Sequence, residues 1–287
     1  MISKRPRIGG HVSAAGGPRT SILKARAIGA ECIQIFGSSP QQWLVRLPTD
    51  QAIKLFRAEL AGEDLPIYLH APYLVNLASP DQALINKSIS ALTGHLEIAK
   101  MLSARGLIFH VGSGRETDKS LAIKRAASAI KKVLKNVSGK TQLIIENTAG
   151  GGHKIGATLD EIAELMKFTN SKRVKVCIDT AHAFESGALA NTAEGVKIFF
   201  DECDKKLGIQ NIVALHINDS KTIFGSHHDR HENIGAGYIG LAGFKYLAQD
   251  KRLWDKDWLL EVPGFDNSGP DAKNIAILLS LFNGNKK

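Results

Sequence analysis

Residues Val213–Gly240 read VALHINDSKTIFGSHHDRHENIGAGYIG. Within this stretch, the β-branched and aliphatic run Ile212–Asn218 predicts a strand buried on both faces. Ala214, His216 and Asn218 share one face, and Val213, Leu215 and Ile217 share the other. A strand that is apolar on both sides belongs in a parallel sheet covered by helices, and His216 then stands at its carboxyl end. The loop beyond it carries Asp219, His227, His228, Asp229 and His231. Asp229 and His231 are two residues apart, so in extended backbone both side chains leave on one side, close enough to share a divalent ion. Gly235, Gly237 and Gly240 suit a tight loop that another backbone or a ligand can approach. On this stretch alone a solvated, histidine-rich loop explains the pattern equally well, so the rest of the chain decides.

Working outward, short apolar runs alternate with segments of helical character from Arg7 to Gly264. The expected strands are Arg7–Ser13, Glu31–Ser38, Pro66–Ala71, Gly106–Gly112, Gln142–Asn147, Val174–Thr180, Ile212–Asn218 and Trp258–Val262. The expected helices are Arg19–Ala27, Thr49–Leu60, Asp81–Ser103, Asp118–Lys135, Leu159–Phe168, Thr192–Leu207, Leu241–Gln249 and Asp271–Phe282. Eight βα units without a linker or low-complexity tract predict an α/β fold, a single (β/α)8 TIM barrel over residues 1–287 with its active site at the C-terminal face of the strands. A doubly wound open sheet is the alternative, and the first turn lacks its Gly-x-Gly-x-x-Gly fingerprint.

Six of these strands end in a metal-ligating residue: His70, His110, Glu146, Asp179, His216 and Glu261. A barrel gathers those ends at one mouth. In CIDTAHAFESG, Asp179 and His182 project round the bend that follows the sixth strand. Adding Asp229 and His231 gives nine candidate ligands, all imidazole or carboxylate, which is the donor set of catalytic zinc and is also accepted by manganese. At about three protein ligands per open catalytic zinc, nine ligands with bridging carboxylates point to three ions.

Lysine and arginine (37) exceed aspartate and glutamate (28), a formal charge of +9, which favours a polyanionic partner such as nucleic acid. A merely basic cytosolic protein is the plain alternative. Cys32, Cys177 and Cys203 are odd in number and form no Cys-x-x-Cys pair, so neither a disulfide framework nor a thiolate zinc site is expected. The basic N-terminus lacks an apolar core, and no apolar run approaches a membrane span; a cytoplasmic protein is expected.

The chain contains the motifs GGHVSAAGG (Gly9–Gly17), LHAPYLVNLASP (Leu69–Pro80), FHVGS (Phe109–Ser113), IIENTAGGG (Ile144–Gly152), CIDTAHAFESG (Cys177–Gly187), HINDSK (His216–Lys221) and DRHENIGAGYIG (Asp229–Gly240). In these, over nearly its whole length, it resembles the endonuclease IV family of apurinic/apyrimidinic endonucleases. The resemblance implies a (β/α)8 barrel with three zinc ions. His70, His110 and Glu146 would hold one, Glu146, Asp179, His216 and Glu261 a second, and His182, Asp229 and His231 the third. It also implies that Tyr73 and Leu74 press into DNA at a lesion. Where the family often inserts an arginine into the duplex, FGSSPQQW (Phe36–Trp43) has Gln41, a departure that leaves DNA holding there open.

The implied activity is that of a metal-dependent phosphodiesterase in DNA repair. It would cut 5′ to abasic sites, leave a 3′-hydroxyl and a 5′-deoxyribose phosphate, and remove 3′ blocking groups. The implied partner is double-stranded DNA carrying abasic sites or 3′-blocked breaks, and the enzyme would act as a monomer. Clustered ions lower the pKa of water from 15.7 towards about 7 and neutralise the departing oxygen. Glu146, shared between two ions, and Glu261, orienting the attacking water, are the expected catalytic residues. The competing reading is a sugar isomerase or epimerase on the same barrel, needing only Glu146, Asp179, His216 and Glu261; His182, Asp229 and His231 and the basic charge would then be idle. A DNA-binding protein without chemistry leaves the nine ligands unexplained. His95, His153, His227, His228 and the glycine run Ala149–Gly152 are read as packing, surface or loop, the last lacking the Lys-Ser/Thr of a P-loop. His11 is an expected neighbour of the site.

Overall fold

The computed structural model describes residues 5–115 and 118–282; the ends of the 1–287 span expected above lie outside the described residues. Eight parallel strands close into a barrel: β1 (Arg7–His11), β2 (Ile33–Phe36), β3 (Ile67–His70), β4 (Gly106–Phe109), β5 (Gln142–Glu146), β6 (Val174–Asp179), β7 (Ile212–His216) and β10 (Asp257–Leu260). Their order round the barrel is β1-β10-β7-β6-β5-β4-β3-β2. Two further two-residue strands, β8 (Asp219–Ser220) and β9 (His231–Glu232), form an antiparallel ladder above the rim.

Helices α1 (Pro18–Ile28), α2 (Asp50–Leu60), α3 (Gln82–Met101), α4 (Lys119–Asn136), α5 (Leu159–Thr169), α7 (Ala193–Leu207), α8 (Gly240–Gln249) and α9 (Ala272–Ser280) form the outer layer. Their starts are written locally. Thr49, Asp81, Asp118, Thr158, Thr192 and Asp271 each accept a backbone N–H of the first turn through their side chains, as good N-cap residues do. These residues stand just outside the helices, which is why α2, α3, α4, α7 and α9 begin one residue later than the spacing suggests. The strands are shorter than expected for a related reason: past the rim the chain turns into loops and leaves the ladder, so His110 lies one residue beyond β4. A short helix, α6 (Thr180–Glu185), follows β6 without any loop, capped by Asp179. It went unforeseen because six residues carry too little periodicity to register.

At the opposite end of the barrel, Tyr68 donates its hydroxyl to Asp257 at 2.8 Å and Arg105 reaches the same carboxylate oxygen at 2.8 Å. Burial raises the Asp257 pKa, and the Arg105 cation opposes that rise. Among the described residues, no helix is long and apolar enough to cross a membrane.

Candidate metal centre

Inside the barrel, Cys32, Tyr68, Ile108, Ile144, Cys177, Ala214 and Leu259 form one contiguous buried cluster, each from a different segment of the sheet. At the matching level β1 contributes Gly9, where a Cβ would stand 1.7 Å from the carbonyl oxygen of Cys32; only glycine fits. Side chains in a strand return to the same face every second residue. Two residues further on, the inward positions are therefore His11, Gln34, His70, His110, Glu146, Asp179, His216 and Glu261. Every barrel segment changes from an apolar or small plug residue to a polar group in one step. That step builds the rim.

The nine candidate ligands converge there. Glu146 is fully buried and uses its two oxygens in different directions. Oε2 lies 2.9 Å from His70 Nε2 and 3.4 Å from His110 Nε2, while Oε1 lies 2.8 Å from His216 Nδ1. His216 Nδ1 is also 3.3 Å from Glu261 Oε2 and 3.9 Å from Asp179 Oδ2. On the other side of Asp179, His231 Nε2 stands 3.6 Å from its Oδ2. Asp229 Oδ1 lies 3.3 Å from His182 Nε2 and 3.7 Å from His231 Nε2. Three sets thus have ligand atoms within 4.8 Å of one another: His70, His110 and Glu146; Glu146, Asp179, His216 and Glu261; and Asp179, His182 and His231.

The donor chemistry of these sets fits divalent cations. Ligands about 2.1 Å from a tetrahedral ion stand about 3.4 Å from one another, and the contacts above bracket that spacing. His182 Nε2 and His231 Nε2 are buried without a hydrogen-bond partner, a costly state for a polar atom unless a cation or water meets it. His110 Nδ1 is buried without a partner as well, whereas three other rings have their Nδ1 committed. His70 Nδ1–H donates to the carbonyl of Ala71 at 2.8 Å, His182 Nδ1–H to that of Asn147 at 3.0 Å and His231 Nδ1–H to that of Glu261 at 3.4 Å. Each bond commits Nδ1, so Nε2, which faces the carboxylates, is the nitrogen left for a cation.

The charges respond to this crowding. Burial would raise the Glu146 pKa, but the His110 and His216 charges hold it well below the ordinary carboxylate range. Glu261 is likewise held low, against burial, chiefly by the His216 charge. Burial pulls His110 down to about 4. In His182 burial acts the same way, but Asp179 and Asp229 overcome it and raise the pKa to about 10.

The loop beyond β7 is fixed by two buried carboxylates with no ligand role. Asp219 Oδ2 accepts the N–H groups of Gly235 and Gly237, and Oδ1 those of Ser220, Ile239 and Gly240. A Cβ at Gly237 would stand 2.3 Å from the Ser220 carbonyl and 2.6 Å from Asp219 Oδ1, so the glycines serve close approach of backbone. Glu185 Oε1 accepts from Ser220 Oγ, Thr222 Oγ1 and the Arg230 N–H. It thereby anchors the segment that carries Asp229 and His231.

A cavity of about 1030 Å³ opens over the metal-ligand rim, lined by His70, His110, Tyr73, Arg46 and Arg230 among others. Tyr73 is 70% exposed, which argues against core packing; its ring lies 5.8 Å from that of Phe36. Leu74 is half-buried beside it, and Gln41 is exposed on the loop after β2. His95 is fully buried in α3, and burial lowers its pKa to about 4; it is a core residue. His153 and His228 are exposed, and His227 Nδ1 donates to the Ala149 carbonyl, tying two rim loops together. His11 does join the site, 3.4 Å from Glu261 Oε1. Gln34, Asn147 and Asn218 belong to it as well. The Asn218 Nδ2 donates to Asp179 Oδ2 at 2.6 Å and its Oδ1 accepts the Glu261 N–H at 2.7 Å. Side-chain amides are not among the usual zinc ligands, so a search for ligand types passes over them, although Gln34 occupies the rim step that the strand period marks.

A family model described as a xylose isomerase-like TIM barrel matches residues 22–280. A probable endonuclease 4 of Aquifex aeolicus is 34% identical over 278 residues, covering 96% of this chain and 98% of its own. The crystal structure of endonuclease IV from Thermus thermophilus superposes with a TM-score of 0.86 at 33% identity, covering 97% of this chain and 100% of that one. A D-tagatose 3-epimerase-like protein superposes at 0.73 with 19% identity over 96% of this chain and 97% of its own, a likeness of fold alone. Identity at a third of positions along nearly the full length of both chains, on a rim whose ligand sets are intact, places the chain in the endonuclease IV family.

Proposed function

We propose that the chain is a divalent-metal DNA repair endonuclease that hydrolyses the phosphodiester bond 5′ to an abasic site, leaving a 3′-hydroxyl and a 5′-deoxyribose phosphate. It also removes 3′ blocking groups at strand breaks with the same residues, and the whole chain acts as one unit. The observation that carries the reading is the third ligand set, His182 and His231 with Asp229 and Asp179, beside two others at one mouth. A sugar epimerase on this barrel would leave it idle.

His70, His110 and Glu146 would hold one cation, Glu146, Asp179, His216 and Glu261 a second, and His182, Asp229 and His231 a third; zinc suits the set and manganese is accepted. Bound there, such ions supply Lewis acidity, making water acidic enough to attack at neutral pH and offsetting charge on phosphate oxygens. The protein's own groups do the rest. Glu146, ionised and buried, splits its two oxygens between adjacent sets. Glu261, gripped through its backbone N–H by Asn218, orients the attacking water in line with the scissile bond. Arg46 and Arg230, at the cavity wall, pair with backbone phosphates. An abasic nucleotide has lost its stacking partner and leaves the helix cheaply, and Tyr73 with Leu74 fills the gap.

A duplex carrying one abasic analogue tests the reading. The purified chain should cut it once, 5′ to the lesion, lose that activity to chelator and regain it with zinc. Cutting that survives complete metal removal, or an intact lesion strand with three zinc ions bound, would sink it.

A further inference from the structure

Gln34 is fully buried at the rim step of β2, and its amide meets three polar side chains. Nε2 lies 2.5 Å from Glu261 Oε1 and 2.9 Å from His11 Nδ1, and Oε1 lies 2.8 Å from His216 Nε2. The chemistry of these partners removes the ambiguity of an amide. A carboxylate only accepts, so the nitrogen end must face Glu261 and the oxygen end must face His216. An amide oxygen also only accepts, so His216 Nε2 carries a hydrogen and keeps it, which leaves Nδ1 as the nitrogen whose proton a cation would displace. Nδ1 is the nitrogen that faces Glu146 Oε1 and Glu261 Oε2. The second amide hydrogen goes to His11 Nδ1, which therefore accepts and does not compete as a donor for Glu261.

His70, His182 and His231 receive the same instruction from backbone carbonyls, which no substitution removes. His216 depends on a side chain. Without it, a buried Nε2–H would be orphaned, and the ring would do better with its hydrogen on Nδ1, donating to Glu146 and blocking the ligand position.

We propose that Gln34 is a positioning residue for the central ligand set: it fixes the Nε2–H tautomer of His216 and turns Glu261 so that its Oε2 and His216 Nδ1 converge on one cation. Gln34 itself does not touch that cation. The inference rests on the metal-endonuclease reading and deepens it. Partners that orient metal ligands typically contribute about 10–100-fold in metal affinity or activity.

The first test needs no variant. In the zinc-loaded full chain, nitrogen-15 spectra of the imidazoles should show His216 with hydrogen on Nε2 and none on Nδ1; hydrogen on Nδ1 overturns the proposal. The second compares Gln34→Met and Gln34→Leu, which fill the space without the hydrogen bonds, by chelator competition and by the visible spectrum of the cobalt-substituted protein. One of the three ions should bind about 10–100-fold more weakly and the cobalt bands should move, with the other two ions unchanged. A folded variant that keeps all three affinities and an unaltered cobalt spectrum overturns the proposal while leaving the endonuclease reading standing. Wild-type chain that takes up no divalent ion overturns both. If neither variant folds, the tautomer measured in the native chain decides.

Discussion

His216 Nδ1 stands 2.8 Å from Glu146 Oε1, and neither side chain has any exposed surface. The other oxygen of Glu146 faces His70 and His110, so this one carboxylate belongs to two ligand sets. Glu146→Gln keeps the shape and removes the anion. Bound zinc should fall from three ions to one by native mass spectrometry, and cleavage should drop by more than about 100-fold, since losing a shared ligand exceeds losing a partner that merely orients one. Three ions retained would show that the carboxylate is not shared.

In the proposed reading Glu261 orients the attacking water and does not hold the DNA. Glu261→Gln should bind abasic duplex with wild-type affinity and cut it about 10²–10⁴-fold more slowly in single-turnover assays. Unchanged cutting would remove Glu261 from the mechanism.

Asp179 and Asp229 lift His182 to about 10 against the pull of burial, so the metal-free protein carries a proton on that ring at pH 7. Zinc uptake must expel it. Calorimetric titrations in buffers of different ionisation enthalpy should differ in apparent enthalpy, reporting proton release; identical enthalpies contradict the prediction. The folded pKa exceeds the ordinary 6.5, so the stability it confers on the metal-free protein is complete below pH 6.5 and is lost as pH rises through about 10. Chelator-stripped protein should melt lower at pH 10 than at pH 7, and the His182→Asn variant should show a smaller drop.

Tyr73 projects from the rim with most of its surface free, where a displaced base would leave room. Replacing Tyr73 and Leu74 together by alanine should weaken binding to abasic duplex by about 1–3 kcal/mol and leave zinc content intact. Gln41→Arg on the neighbouring loop should steepen the salt dependence by about one phosphate contact, a change near 0.9 in the log–log slope. Unaltered affinity in the double variant would return the pair to a packing role.

The strand ends were readable because each ligand follows an inward apolar residue at the strand period, so His70, His110, Glu146, Asp179, His216 and Glu261 announce themselves by step and by type. Helix starts were readable to within one position. What stayed hidden was whatever depends on a partner distant in sequence. Asp219 looks like one more metal-capable acid, but its oxygens are taken by five backbone N–H groups. Glu185 resembles a surface helix residue, and it is buried under the loop it anchors. Gln34 shares the inward step with the ligands and was passed over for its chemistry. Direction was legible, and the partner was not.

The ligands of the central set come from β5, β6, β7 and the end of β10, the strand that closes the barrel against β1. A nascent chain has therefore made nearly all of its sheet before that coordination sphere exists. A cation taken up by the central set would therefore be captured late in maturation and would then tie β5, β6 and β7 to the end of β10. Withdrawing the ions should loosen barrel closure itself, so hydrogen exchange in β10 ought to accelerate on chelation more than exchange in β3 or β4.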